Sequence, residues 1–303
     1  MNFFRSEKFG QVLAGETVNT GDKRFHDHSI LKLMDLSVVM AVYNQSETLN
    51  AAIKSILEQT YRNFVFIIID DFSTDETPEI LRQWRQQDPR IKVVTNHRHL
   101  GLTKSLNVGW RLAKTIYIAR MDADDIAMPS RLKKQRDFLL AHPKIGLLGA
   151  SANLIDGQGR PAGVKIMPSD SDSIRRTILS YCPFIHPTWM LPRNVLLEMG
   201  GYNEAFPFAQ DYELALRIVK TYPVANLLEV LLEYRVNSES AISLKQLKQQ
   251  ELLALKARWL ALTRYGYSWR QSWRLIKPLL SFMVPSGIKK LVYARYFWYR
   301  GSH

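Results

Sequence analysis

The 303-residue chain holds one cysteine, Cys182. No disulfide can form within it and no zinc site can be built from several cysteines, which suits a reducing compartment. Cys182 itself reads as a small packing residue rather than a nucleophile, because free cysteines are among the most buried side chains. Long apolar runs are also lacking. The best candidate, LIKPLLSFMV at 275–284, is short and carries Lys277 and Pro278, so nothing approaches the ~20 residues that cross a bilayer. The opening MNFFRSEKFGQVLAGE has no long apolar h-region and does not look like a signal peptide. Glycine is scarce where phosphate cradles need it. AVYNQSE has none in the place of a G-x-G-x-x-G turn, and no GxxxxGK[ST] loop occurs anywhere.

Acidic charge is nearly missing from one end. Of the 41 Lys and Arg, twelve lie from Lys245 onward, against Glu251 alone among the acids. The last segment therefore carries +11 of the net +13, and residues 1–244 are close to neutral. With 46% apolar residues, the chain has enough to bury a full core.

Residues 1–35 are weakly patterned and read as an N-terminal arm. From Leu36 the order sharpens. LSVVMAVYN and FVFIIID (64–70) are apolar runs of the kind buried on both faces of a parallel sheet. IKVVTN (91–96) and TIYIARM (115–121) predict two more strands. Between them, Leu49, Ala52, Ile53, Ile56 and Leu57 share one helical face. Asn44 and Glu47 are spaced as a capping box. Thr77 and Pro78 read as a cap and first residue, and LTKSLNVGWRLA as a third helix. The β-α-β-α-β-α-β order implies an α/β fold with a mostly parallel sheet flanked by helices. Ligands of such sheets bind beyond the carboxyl ends of the strands. Each of those ends is polar: YNQSE, DDFSTDE, NHRHLG and DADD.

Further on, IGLLGA (145–150) suggests a strand, NLIDGQGRP a hairpin turn, NVLLEMGGYNEAF a helix ended by Gly200–Gly201, and DYELALRIVK (211–220) another helix. DADD concentrates Asp122, Asp124 and Asp125 directly after a buried strand. Such a cluster is either solvated surface or a site for a hard cation, since Mg²⁺ takes one or two carboxylates together with substrate phosphate oxygens. Asp70–Asp71 ends a second buried strand and could accept hydrogen bonds from a ribose or a base, or could cap a helix. With no glycine cradle, a diphosphate bound here would need a metal.

VVMAVYN, LEQTYRNFVFIIIDDFSTDET, NHRHLGLTKSLNVGW and IARMDADDIAMPSRL resemble the nucleotide-sugar half of family 2 glycosyltransferases. HPTWMLPRNVLLEMGGYNEAFPFAQDYELALRI resembles the acceptor half. The similarity runs from residue 36 to about residue 240. It implies a GT-A (Rossmann-like) catalytic domain over 36–244, with a nucleotide-sugar-binding half at 36–130 and an acceptor half at 131–244. By the resemblance, Ala41, Tyr43 and Glu47 match the loop that meets the nucleoside, and Asp71 matches the acid beside it. Lys104 lies where the family often has a residue near the nucleotide. Asp122 matches the first acid of the D-x-D motif, facing ribose or the metal's water shell. Asp124 matches the metal ligand and Asp211 the general base. The family usually has Glu before that base, and Gln210 stands there instead. The implied cofactor is a divalent cation, Mn²⁺ or Mg²⁺. The implied partners are a nucleoside diphosphate sugar, expected to be a UDP-sugar, and a saccharide or lipid-linked acceptor, as in the synthesis of a cell-surface polysaccharide or glycolipid. One carboxylate base and a back-side attack would invert the anomeric centre, while the cation would stabilise the leaving diphosphate. The alternatives are a sugar nucleotidyltransferase, which would want a glycine-rich, Arg-bearing first loop, and a non-catalytic nucleotide-sugar-binding scaffold.

Three residues stay open between two readings. His186 could reach the metal or diphosphate, or be a packed histidine. Trp189 could stack on an acceptor sugar or pack in the core. Arg235 could contact the diphosphate or make a surface ion pair. The extension at 245–303 is expected to be helical, and it interleaves Lys and Arg with Trp259, Trp269, Trp273 and Trp298. It would suit an anionic membrane surface, packing on the catalytic domain, or, least of the three, nucleic acid. The expected location is cytoplasmic, peripheral on the inner face of the cell membrane.

Overall fold

The computed structural model describes residues 34–236 and 247–284. The expected arm at 1–35 lies almost wholly outside the described residues, as does Trp298. Four strands open the fold: β1 (Leu36–Val42), β2 (Phe64–Asp70), β3 (Ile91–Thr95) and β4 (Tyr117–Met121). Helices α1 (Ser46–Leu57), α2 (Thr77–Gln87) and α3 (Leu102–Leu112) connect them. All four pair in parallel, in the order β3-β2-β1-β4. The chain steps outward from β1 to β3 and then returns to the other side of β1, so the order reverses between β1 and β4. Crevices of this kind receive ligands in open α/β sheets.

The second half extends the sheet. β5 (Ile126–Ala127), α4 (Arg131–Ala141), β6 (Leu147–Ile155), β7 (Pro161–Lys165), α5 (Ser171–Thr177), β8 (Met190–Pro192), α6 (Arg193–Met199), α7 (Gln210–Thr221) and β9 (Val224–Arg235) follow in turn. The order continues from β4 through β8, β6 and β9 to β5, with β7 beside β6. β8 runs antiparallel to both β4 and β6, and β5 antiparallel to β9. The long β6–β9 pairing is parallel, so most paired residues lie in parallel ladders.

Alternate residues of β1 and β2 feed two cores. Leu36, Val38, Met40, Phe64, Phe66 and Ile68 pack with α1. Val39, Ala41, Val65, Ile67 and Ile69 pack with α3 and the α7 layer. Gly109 lets α3 approach β1, because a Cβ there would lie 2.5 Å from Val39 Cγ1. Gly200 takes the left-handed cap expected after α6.

Two caps differ from the local reading. Asn44 makes no capping box with Glu47, since it adopts φ +50 and pairs with Thr74, whose amide donates to Asn44 Oδ1 at 2.8 Å. The α1 entry is satisfied instead from the loop after β2, where Gln45 N donates to Thr77 Oγ1 (3.0 Å) and Ser46 N to Asp75 Oδ2 (3.1 Å). Thr77 therefore begins α2 rather than capping it, with its hydroxyl committed to α1. A cap is a competition for N–H donors, and acceptors from a distant loop win here.

Beyond β9, α8 (Leu247–Thr263), a 3-10 helix (Trp269–Leu275) and α9 (Ile276–Met283) form the described part of the extension. Ala257, Ala261, Leu262 and Tyr267 join the α7 core. Arg258 ties α8 to the catalytic layer by donating to Leu179 O at 2.9 Å and Ser180 O at 3.2 Å.

Candidate active site

The site begins with strand periodicity. Side chains two apart on a strand share a face, so Arg120 and Asp122 emerge together from the end of β4. They form an ion pair through Arg120 Nη2 and Asp122 Oδ1. Arg120 is 4% exposed. Burial works against its charge, but Asp122 and, more weakly, Tyr202 and Asp125 outweigh that and hold the guanidinium above its ordinary range. Its Nε and Nη1 have no hydrogen-bond partner.

Asp122, Asp124 and Asp125 each turn a carboxylate oxygen to within 4.8 Å of the others. Burial, reinforced by Asp122, pushes Asp124 up to about 6, while Arg120 and Arg235 oppose the shift. Asp125 is fully buried and is raised well above the carboxylate range by burial and by the charges of Asp124 and Asp122. Its Oδ1 accepts from Arg235 N at 2.8 Å, and its Oδ2 is buried without a partner. An all-oxygen, like-charged cluster with an orphaned oxygen fits a hard dication, which would neutralise the repulsion and fill the vacant lone pairs.

The loop is fixed from behind. Arg235 Nε donates to Asp124 O (2.8 Å) and its Nη1 to Asp156 O (2.9 Å) and Gly157 O (3.0 Å). Among the described residues Arg235 has no carboxylate partner; its Nε and Nη1 clamp three backbone carbonyls. Arg131, wholly buried in α4, is brought down to about 9 by desolvation and donates to Arg120 O at 2.6 Å.

Asp211 lies in the first turn of α7, after Ala209 at φ +56. Burial raises its carboxyl, against the Tyr212 amide and the Arg120 charge. The loop leading to α7 is held by α3: Thr103 Oγ1 donates to Phe206 O (2.8 Å), Asn107 Nδ2 to Tyr202 O (2.9 Å), and Tyr202 N to Asn107 Oδ1 (3.0 Å). Gln210 is buried beside Asp211. His186 sits 2.9 Å from the Tyr202 hydroxyl through Nε2. Burial and then Arg120 hold it well below the usual imidazole range, so it stays neutral. Trp189, one of the two open aromatic readings, is fully buried edge-on to His186 and cannot stack on a sugar. Cys182 is pushed up to about 12 by burial and by Asp211, in keeping with a packing role.

A second cluster lines the ends of β1, β2 and β3. The Asp71 carboxylate, 2% exposed, accepts from Asn96 Nδ2 (2.7 Å), Leu100 N (2.8 Å) and Gly101 N (2.8 Å), and lies 2.9 Å from His99 Nδ1. His99 in turn lies against Tyr43, ring centroids 4.1 Å apart, and Tyr43 is 41% exposed. Asp71 thus orders the loop that carries an aromatic wall. Ala41 is buried near the end of β1, Glu47 is exposed on the first turn of α1, and Lys104 is exposed on α3.

Sequence reasoning passed over Arg120 and Tyr202, and gave Asp125, though part of the acid cluster, and His99 no role of their own. The position of Arg120 two residues before Asp122 was a usable signal. The bridge from Asn107 to Tyr202 was not, because 95 residues separate the partners.

This architecture, an α/β sheet with an acid cluster at its reversal point, is that of a GT-A glycosyltransferase. Residues 37–198 match the model of glycosyl transferase family 2, and the chain belongs to that family. It is 34% identical to the O-antigen biosynthesis glycosyltransferase WbnJ of Escherichia coli over 69% of this chain and 83% of that one. Its fold is similar to that of TarS 1–349 of S. aureus in complex with UDP, with a TM-score of 0.63, 19% identity, and coverage of 81% of this chain and 71% of that one. It is also similar to mannosyltransferase PcManGT from Pyrobaculum calidifontis in complex with GDP-Man and Mn²⁺, with a TM-score of 0.57, 18% identity, and coverage of 86% and 79%.

Proposed function

We propose that the chain transfers a sugar from a nucleoside diphosphate sugar, a UDP-sugar, to a hydroxyl of a saccharide or lipid-linked acceptor, with inversion and with a divalent cation at the β4 acid cluster. The observation that carries this reading is the gathering of three carboxylates within 4.8 Å at the reversal point of the sheet. The ligands of the fold neighbours, UDP in one and GDP-Man with Mn²⁺ in the other, support it, and the O-antigen role of WbnJ supports a glycan acceptor.

In this reading Asp124, with Asp122 and the orphaned oxygen of Asp125, holds the cation. When bound, the cation supplies charge stabilisation to the departing diphosphate. Arg120 holds Asp122 in an ion pair. Tyr43 and His99 offer a stacking wall to the nucleobase, on a loop set by Asp71. Asp211 takes the proton of the acceptor hydroxyl, and Arg120 moderates how far burial raises it. His186 is neutral and braces Tyr202.

The test is calorimetric titration with UDP in Mn²⁺ and in EDTA, followed by UDP release from a panel of nucleotide sugars. The reading expects binding that depends on the cation and turnover with at least one donor. Equal UDP binding in EDTA would overturn the cation site, and binding without turnover of any donor would favour a scaffold.

A further inference from the structure

The last described helix presents its apolar face outward. In α9, Ile276, Leu279, Leu280 and Met283 fall at i, i+3, i+4 and i+7, the stripe a globular helix normally buries. They are 57%, 48%, 60% and 78% exposed, and α9 buries no residue at all. Trp273, at 64%, extends the stripe one turn back through the 3-10 helix. Nearby, Trp259 and Trp269 are both half exposed and meet edge to face at 5.7 Å. The polar positions among them are cationic. Arg264, Arg270 and Lys277 are exposed, Arg274 lies 5.3 Å over the Trp273 ring, and no carboxylate occurs after Glu251.

An outward apolar stripe with tryptophans and a surround of one positive sign is complementary to one kind of surface. Rings and aliphatic chains enter the headgroup boundary, while Lys and Arg meet anionic lipid. An acidic protein groove would match the cations but would not call for several exposed tryptophans spread over α8 and the 3-10 helix. We propose that the face formed by the 3-10 helix and α9 docks this enzyme on an anionic lipid bilayer.

The position of this face gives the contact a purpose. One edge of the stripe, Trp273, Ile276 and Leu280, walls an open groove whose far side is Ser180. Ser180, whose carbonyl is held by Arg258, lies two residues before Cys182, and the Cys182 thiol feels the Asp211 charge. The docking face therefore adjoins the segment next to the residue read as the base, on the acceptor side.

The experiment is co-sedimentation of the full chain with phosphatidylcholine vesicles and with vesicles doped with phosphatidylglycerol, at low and high salt. The wild type is expected to pellet with the anionic vesicles only, and less at high salt. The double change Leu280→Ser/Met283→Ser alters exposed side chains, so the fold should persist, as circular dichroism and unchanged UDP binding would verify. It should weaken partition by about tenfold or more, given the apolar area withdrawn from the boundary. Arg270→Glu/Lys277→Glu should weaken it to a similar degree at low salt. Three results would overturn the proposal: no pelleting of the wild type, equal pelleting of both variants, or self-association without vesicles that the Leu280/Met283 change abolishes. The last would assign the stripe to a second copy of the chain. None of them bears on donor binding, so the proposed transfer stands or falls separately.

Discussion

Replacing Asp211 with Asn keeps the shape of the side chain and removes only its ability to take a proton. The size of the effect follows from what surrounds it. A positioned general base contributes typically ~10²–10⁴ in rate. The lower end applies where a neighbour can deputise, and the groups beside Asp211 are poor deputies. His186 is held neutral well below its usual range, with Nε2 committed to Tyr202. The Cys182 thiol at about 12 stays protonated, and Asp122 is tied to Arg120. A loss near the upper end is expected, about 10³–10⁴-fold in kcat, or ~4–5.5 kcal/mol of barrier. Stability should move the other way. Burial raises the folded carboxyl above its unfolded value, so the protonated form is favoured in the fold. That stabilisation is present at low pH and is lost as pH rises through the folded pKa. Above it, the ionised group penalises folding, and Asp211→Asn should raise Tm at neutral pH but not in acid. The assay is UDP release at saturating donor and acceptor, paired with calorimetric UDP binding and a thermal melt. Near-normal turnover would refute the assignment of the base. Loss of UDP binding along with turnover would refute the separation of donor and acceptor roles.

Further outcomes follow from the same geometry. Asp124→Asn should abolish the Mn²⁺ dependence of UDP binding along with transfer, whereas the scaffold reading expects donor binding to persist. With Asp124 raised to about 6 and Asp125 displaced in the same direction, the metal-free protein should gain stability as pH falls from about 7 to about 5; Mn²⁺ should raise Tm more at the upper end of that range, and an equal rise at both ends would count against these ligands. Tyr43→Ala should weaken UDP binding about tenfold, in line with ~1–3 kcal/mol for a base–aromatic stack, and unchanged affinity would remove the aromatic wall from the donor site. Gly201→Ala should lower Tm by roughly 3–6 °C in a thermal melt of a chain this long. Gly201 sits at φ +76 and a Cβ would meet Trp110 Nε1 at 2.6 Å, so left-handed strain and overpacking together cost about 2–4 kcal/mol.

The parallel half of the sheet was legible because its determinants are local. FVFIII is apolar at every position up to Asp70, a helix follows it, and the strand–helix alternation repeats along the chain. The second half depends on partners. VANLLEVLLEYR became β9 only because β6 offers a ladder from Leu147 to Ile155; its leucines alone suit a helix as well. Ile126–Ala127 is a strand of two residues that exists through its pairing with Leu232 and Glu233. The caps of α1 and α2 failed as local readings because their donors and acceptors are exchanged between loops some thirty residues apart. At the site, the acid cluster was visible as composition after a strand. What holds it was not, because the Arg235 clamp reaches across 111 positions to Asp124.

The electrostatics of the cluster set a limit on how such a site can be built. Three carboxylates this close, one of them fully buried, resist ionising together, in keeping with the upward displacement of Asp124 and Asp125. Left alone, that repulsion would favour protons on the cluster over a dication. Pairing every acid with a basic side chain would cure the repulsion and also consume the oxygens the cation needs. The fold takes a middle course. One buried arginine, Arg120, neutralises Asp122 through a single oxygen contact and acts on Asp124, Asp125 and Asp211 only through space. Arg235 lends a backbone N–H to Asp125 while its guanidinium is turned to carbonyls. Among the described residues the remaining negative charge has no counter-ion in direct contact, which leaves ligand oxygens free and a field that a divalent cation can satisfy.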